Sequence, residues 1–171
     1  MDAYLAIASR RETRDYAERP LPDVALERIL QAGRIAGSGR NRQPWRFVVV
    51  SSRERLDALA ETVSRADNVR RAPLAVAIAV RGPGMTAFDG GRAAQNMLLA
   101  AWNEGIGGCP NGFVDKGRAA ELLELAPDQE PLVLLTFGYP ARPRDPASRT
   151  SEEWLACARR LPLEELVQAR L

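Results

Sequence analysis

The sequence predicts one layered domain of helices and strands, α+β or α/β. Three observations carry this reading. Helical segments outnumber strands, the three clear strands are separated by long crossovers, and no internal repeat or second domain is visible across the 171 residues. A chain of this size buries about 70% of the surface its unfolded form exposes, so it needs no disulfide staple. Residues 1–171 are therefore expected to form a single domain.

Residues 2–9 read as a short helix, followed by the polar run Arg10-Arg11-Glu12-Thr13-Arg14. Pro22 suits a first helical position and Asp23 the first turn. Leu26, Ile29, Leu30 and Gly33 then recur at helical spacing, predicting an amphipathic helix to about Ala36. The stretch from Gly37 to Trp45 has loop composition, and Phe47–Val50 reads as a buried β-branched strand. A helix is expected over Arg53–Arg65 and a second strand over Leu74–Val80, broken by Gly82-Pro83-Gly84. Phe88 to about Glu104 reads as a helix. Its stretch Ala93–Trp102 is apolar on almost every side, which marks a core or an interface. Gly107–Gly112 reads as a tight loop, residues 115–125 as a short helix and Leu132–Gly138 as the third strand. Pro140, Pro143 and Pro146 predict an extended tail from about 139. Within it, Thr150-Ser151-Glu152-Glu153 has the capping-box pattern of a helix running to about Arg160, and Pro162 starts the last helical turns.

The absences narrow the chemistry. The chain has no histidine, which excludes His-based triads, general bases and metal sites. Cys109 and Cys157 form no C-x-x-C, so no metal site is expected, and reduced thiols in the cytoplasm are the default. No run of about 18 apolar residues predicts a membrane span, and the N-terminus lacks the pattern of a signal peptide. The net charge of +2 is too balanced to imply a nucleic-acid partner. Demanding redox or acid–base chemistry must then come from a cofactor, or from Arg, Tyr and carboxylates.

Three loops could hold a ligand. Arg10, Arg11 and Arg14 suit a phosphate, since guanidinium forks pair with its oxygens; a solvated basic turn would account for this segment alone. In Ser38-Gly39-Arg40-Asn41-Arg42-Gln43-Pro44-Trp45 the glycine admits close backbone approach and the amides suit a heterocycle edge. The third, Gly107–Gly112, could offer backbone N–H groups. None fits a Walker A or G-x-G-x-x-G pattern.

Together these segments resemble the nitroreductase family of flavoproteins. The resemblance rests on Arg10-Arg11-x-x-Arg14-x-Tyr16, the Pro22 helix, Ser38-Gly39-x-Asn41-x-Gln43-Pro44-Trp45-x-Phe47 and the Ala94–Ala101 helix. It extends through Gly105-x-Gly107, Gly138-Tyr139-Pro140 and Arg160-x-Pro162-Leu163-Glu164-Glu165-Leu166-Val167, and so covers essentially the whole chain. It implies an α+β fold with a mixed sheet sandwiched by helices, an intertwined homodimer and non-covalent FMN at the dimer interface. It further implies NADH or NADPH as electron donor. A hydride would pass through flavin N5 to nitroaromatic, quinone or similar acceptors by a ping-pong cycle, so that the flavin rather than a catalytic side chain carries the chemistry.

By the same resemblance, Arg10 and Arg160 correspond to phosphate ligands, with Arg11 and Arg159 as weaker candidates. Arg14 corresponds to the cation near flavin N1/O2. Ser38, Gly39 and Asn41 correspond to the partner-subunit loop against the isoalloxazine and ribityl, and Pro110, Asn111 and Gly112 to the loop near the N5 edge. Glu12 stands where the family usually has Ser, and Asn111 where it often has Glu. The segment Val80–Asp89 is short, which implies an open pocket or a different lid. Asn68 and Arg71 are candidates for the pyrimidine but read more simply as surface residues. A specialised flavin enzyme on the same fold, or a flavin-binding dimer without turnover, are the alternatives.

Overall fold

A computed structural model describes residues 1–169. The chain divides into two compact units: Arg11–Arg144, and a smaller one made of Met1–Arg10 with the segment from Asp145 onward. The smaller unit begins with helix α1 (Ala3–Ser9), capped by Asp2, whose carboxylate accepts from the Leu5 amide at 2.9 Å.

The larger unit opens its regular structure with α2 (Asp23–Arg34), for which Pro22 is the N-cap rather than the first helical residue. Strand β1 (Trp45–Val50) follows, then α3 (Arg53–Ala60) and α4 (Ala66–Arg71). The single helix expected over 53–65 thus ends at Ala60, and α4 is a helix the periodicity did not reveal. Strand β2 (Leu74–Arg81), α5 (Thr86–Asn103), β3 (Gly107–Asn111), α6 (Lys116–Leu122) and β4 (Gln129–Gly138) complete the unit.

The strand order is β1-β2-β4-β3, and every pairing is antiparallel. This corrects the mixed sheet expected from the resemblance, as far as the described residues of one chain go. The core explains why β2 reads as a continuous apolar run. Leu74, Val76 and Ile78 face one cluster with Ile29 of α2 and Met97 of α5, while Ala75 and Ala77 face a second with Leu56, Leu59 and Val69. Period-two alternation into helices on both sides leaves no polar position on this strand before its exposed last residue, Arg81. In β4, Pro131 sits where the pairing with β2 slips between Ile78 and Ala79; the bulge accommodates a residue that cannot donate to the ladder.

Gly107–Gly112 corrects a second expectation, because its first five residues are the edge strand β3. The glycines serve close packing, not turning. A Cβ on Gly108 would lie 2.7 Å from Leu98 Cδ2 and 3.0 Å from the Thr136 carbonyl. Pro110 is tolerated because β3 is an edge strand among the described strands. The expected tail is also tied at its root. The Ala17 amide donates to the Tyr139 carbonyl at 2.8 Å and the Ala141 amide to the Asp15 carbonyl at 3.0 Å.

In the smaller unit, α7 (Ser151–Ala156) packs against α1. The expected capping box is present: Thr150 Oγ1 accepts from the Glu153 amide at 3.3 Å, and Glu153 accepts from the Thr150 amide at 2.8 Å. The helix ends at Ala156, short of the expected Arg160. A last turn, α8 (Leu163–Leu166), follows Pro162.

Candidate functional site

The segment Arg11–Asp15 lies against β3. The Thr13 amide donates to the Gly108 carbonyl at 3.1 Å. Thr13 also packs where a Gly107 side chain would be, with its Oγ1 2.2 Å from an ideal Cβ there. Only glycine permits this approach, so Gly107 fixes where Arg11 and Arg14 emerge.

Beneath this segment runs a buried polar network. Tyr16 Oη donates to the Thr13 carbonyl at 2.7 Å and lies 2.8 Å from Thr136 Oγ1. Asn68 Nδ2 donates to Asn111 Oδ1 at 2.8 Å and to Thr136 Oγ1 at 3.0 Å. Asn111 Nδ2 in turn donates to the Cys109 and Leu134 carbonyls at 3.0 and 3.1 Å. Burial pushes the Tyr16 phenol far above its ordinary range, against the lowering effect of its hydrogen bond to Thr136. The network ties α4 to the sheet and to Tyr16, and through them to the arginine segment.

Asn111 is therefore an interior residue, 2% exposed, with its amide committed to the protein. Pro110 and Gly112 are exposed beside it, and the Gly112 carbonyl accepts from the Ser64 amide at 3.1 Å. Ser64 opens a cavity of about 400 Å³ lined by Arg14, Arg65, Asp67, Asn68 and Arg71. Arg14 also lines a neighbouring cavity of about 440 Å³ with Arg11, Glu12, Trp102 and Arg142. Among the described residues Arg14, Arg65 and Arg71 have no ion-pair partner, whereas Arg70 pairs with Glu61 and Asp67. Asn68 and Arg71, which read more simply as surface residues in the sequence, line this cavity with Arg14. The signal was weak because α4 is only six residues long, too short to show a period.

Ser38, Gly39 and Asn41 lie on another cavity or beside it. Gly39–Asn41 forms a 3₁₀ turn. Arg40, Asn41 and Gln43 all adopt left-handed backbone, with φ of 54°, 55° and 49°. Each such non-glycine residue costs of order 1 kcal/mol or more and persists only when its surroundings hold it. The holding contacts are visible. Ser38 Oγ accepts from the Gln43 amide at 2.9 Å, and Asp89 Oδ2 accepts from the Gly39 amide at 3.2 Å. Ser38 and Gly39 line a cavity of about 780 Å³ together with residues from 81 to 92.

The remaining candidates belong to the smaller unit. Arg10 caps α1 and is half-buried. Arg159 and Arg160 are exposed beyond α7, Arg159 with φ of 48° and Arg160 donating to the Ala158 carbonyl at 3.0 Å.

Chemically, the Arg14 cavity offers three guanidinium groups against one carboxylate, Asp67, which pairs instead with Arg70. That set suits an anionic or electron-rich planar ligand. Against known proteins, the model of the nitroreductase family matches residues 7–81 and 58–139. The chain belongs to the nitroreductase family. A provisionally named NADH dehydrogenase/NAD(P)H nitroreductase of Methanothermobacter thermautotrophicus is 32% identical over 82% of this chain and 78% of its own. A nitroreductase-family structure from Clostridium difficile superposes with a TM-score of 0.84 at 25% identity, covering 100% of this chain and 99% of that one. A provisionally named nitroreductase from Desulfovibrio desulfuricans, solved in complex with FMN, gives 0.81 at 30% identity, covering 100% and 98%. The nitroreductase-family chain described here shares their α+β fold, and none of its described helices is long and apolar enough to cross a membrane.

Proposed function

We propose that this chain is an FMN-dependent NAD(P)H oxidoreductase that works as a homodimer. The observation that carries the reading is the convergence of Arg14, Arg65 and Arg71 on one cavity without carboxylate partners among the described residues. The FMN-bound relative supports it. The residues present fit the cofactor, because guanidinium groups complement both a phosphate and the electron-rich pyrimidine edge of a flavin.

When bound, FMN supplies the redox chemistry, accepting a hydride from NAD(P)H and passing it to a nitroaromatic, quinone or similar acceptor. The chain's residues bind and orient. Arg14, with Arg71, stabilises negative charge at the pyrimidine edge. Arg10, Arg11, Arg159 and Arg160 serve the phosphate. Ser38, Gly39 and Asn41 close over the ring from a second copy, and Pro110 and Gly112 border its far edge. Asn111 acts from beneath, holding α4 through Asn68. Within one chain the Ser38 loop and Arg14 line separate cavities, which supports a site completed by two copies. The half-buried Leu99 and Ala100 on α5, within the apolar stretch noted in the sequence, support a dimer face. Sedimentation at micromolar concentration checks that dimer.

The absorption spectrum of the purified protein, with mass spectrometry of the released cofactor, tests the cofactor. Anaerobic addition of NADH and of NADPH tests the activity. A flavin spectrum bleached by either nucleotide is expected; a colourless protein that does not take up FMN overturns the reading. Bound flavin that neither nucleotide reduces would favour a binding module without turnover.

A further inference from the structure

The cavity of about 780 Å³ next to the Ser38 loop has a charge pattern that the flavin reading does not use. Arg40, Arg42, Arg81 and Arg92 line it, against two carboxylates, Asp89 and Asp128. Both carboxylates are engaged. Asp128 pairs with Arg81 at 3.6 Å, and Asp89, 7% exposed, accepts from the Gly39 amide. Arg42 donates only to a neutral group, the Pro83 carbonyl, at 2.8 Å. Arg40 and Arg92 have no ion pair among the described residues. Arg92 instead lies over the Phe88 ring, 5.9 Å from its centroid. Three guanidinium groups thus make no ion pair among the described residues, and with four arginines against two carboxylates the concave, partly apolar site is net positive, where field lines are focused.

One wall of this cavity is apolar and bare. Phe88 is 58% exposed and Met85 69% exposed, with Pro83 adjoining. Exposed apolar surface beside uncompensated arginines suits a ligand with a flat heterocycle and a compact dianion. The volume lies within the usual range for a small-molecule site. The carboxylates decide which nucleotide. Proteins that hold an unphosphorylated adenosine ribose commonly do so with an acidic side chain on its 2′-hydroxyl, whereas an arginine accommodates a 2′-phosphate. Here Asp128 is paired with Arg81 and the buried Asp89 is turned to the Gly39 amide, while three arginines make no ion pair among the described residues.

We infer that this cavity binds the adenosine 2′-phosphate end of the electron donor, so that the protein prefers NADPH to NADH. The inference rests on the flavin-reductase reading for its purpose, but not for its binding test. Calorimetric titration of the purified protein with adenosine 2′,5′-bisphosphate and with 5′-AMP reads the site without turnover. The bisphosphate is expected to bind at least about tenfold more tightly, the discrimination of one charge-assisted phosphate contact, and to weaken with added salt. Arg92→Gln, on α5 outside the Ser38 loop, is expected to abolish that difference while leaving FMN content unchanged. In the FMN-loaded enzyme this variant should lower kcat/KM for NADPH about tenfold and that for NADH less than about twofold. Equal binding of the two adenosine nucleotides, or equal kcat/KM for NADPH and NADH in the unaltered protein, overturns the inference. A protein that holds no flavin but still prefers the bisphosphate would overturn the activity reading and keep this one.

Discussion

The backbone amide of Gly39 donates to the buried carboxylate of Asp89 at 3.2 Å, across fifty residues of sequence. This bond joins the first turn of α5 to a loop with three left-handed non-glycine residues. A strained loop keeps its shape only while such contacts hold it. Asp89→Ala should therefore loosen the loop without unfolding the protein, because Gly39 is exposed and its amide can turn to water. A hydrogen bond to a charged group contributes roughly 1.5–3 kcal/mol, so FMN affinity should fall about tenfold or more. Asp89→Asn keeps an acceptor and should recover part of the loss. Fluorescence titration of the flavin-free protein, beside far-UV circular dichroism, checks both.

Arg10→Ala and Arg160→Ala should each weaken FMN binding by roughly 1.5–3 kcal/mol and riboflavin binding far less, because riboflavin lacks the phosphate. Titrating each variant with both ligands separates a phosphate contact from a folding defect, which would weaken both equally.

The architecture was legible where burial writes a pattern. Leu74–Val80 reads as a strand because both of its faces are covered, and the α5 stretch reads apolar because one side meets the core. Strand β3 was not legible, since its glycines answer to Thr13, Leu98 and the Thr136 carbonyl, contacts distant in sequence. Among the site candidates, Arg14 and Gly39 stand on cavities, while Asn111 is buried. Nothing local in the sequence distinguishes an amide facing a ligand from one facing Asn68.

Gly107→Ala should be destabilising, since its Cβ would fall 2.2 Å from Thr13 Oγ1. Overpacking of this kind costs about 1–3 kcal/mol and would displace the Arg11–Arg14 segment. A lower urea midpoint together with weaker FMN binding is the expected result.

Tyr16 gives the protein an alkaline limit. Burial raises the phenol's pKa in the folded state well above its ordinary value near 10. Above about pH 10 the unfolded chain loses this proton while the folded chain keeps it, so the folded state binds more protons and stability falls as pH rises. Below that pH the contribution is constant. Urea unfolding between pH 8 and about 11 should show the decline, and Tyr16→Phe should flatten it at the cost of lower stability at neutral pH.

With no histidine in the chain, turnover with a quinone acceptor should vary little between about pH 6 and 8. Cys109 is 1% exposed, so Cys109→Ser should keep most of the flavin reduction rate. A pH–rate profile and stopped-flow reduction of the variant check these expectations.

On the proposed reading, each flavin site takes Arg14 from one copy and the Asp89-braced Ser38 loop from another. Mixing two defective variants tests it most directly. Arg14→Ala and Asp89→Ala are unfolded together, refolded as a mixture, and assayed for tight FMN binding. In a mixed dimer one site carries both defects and the other carries neither. The mixture is expected to regain tight FMN sites that neither variant has alone. If the mixture binds no better than its components, both halves of the site lie on one chain and the two-copy site is refuted.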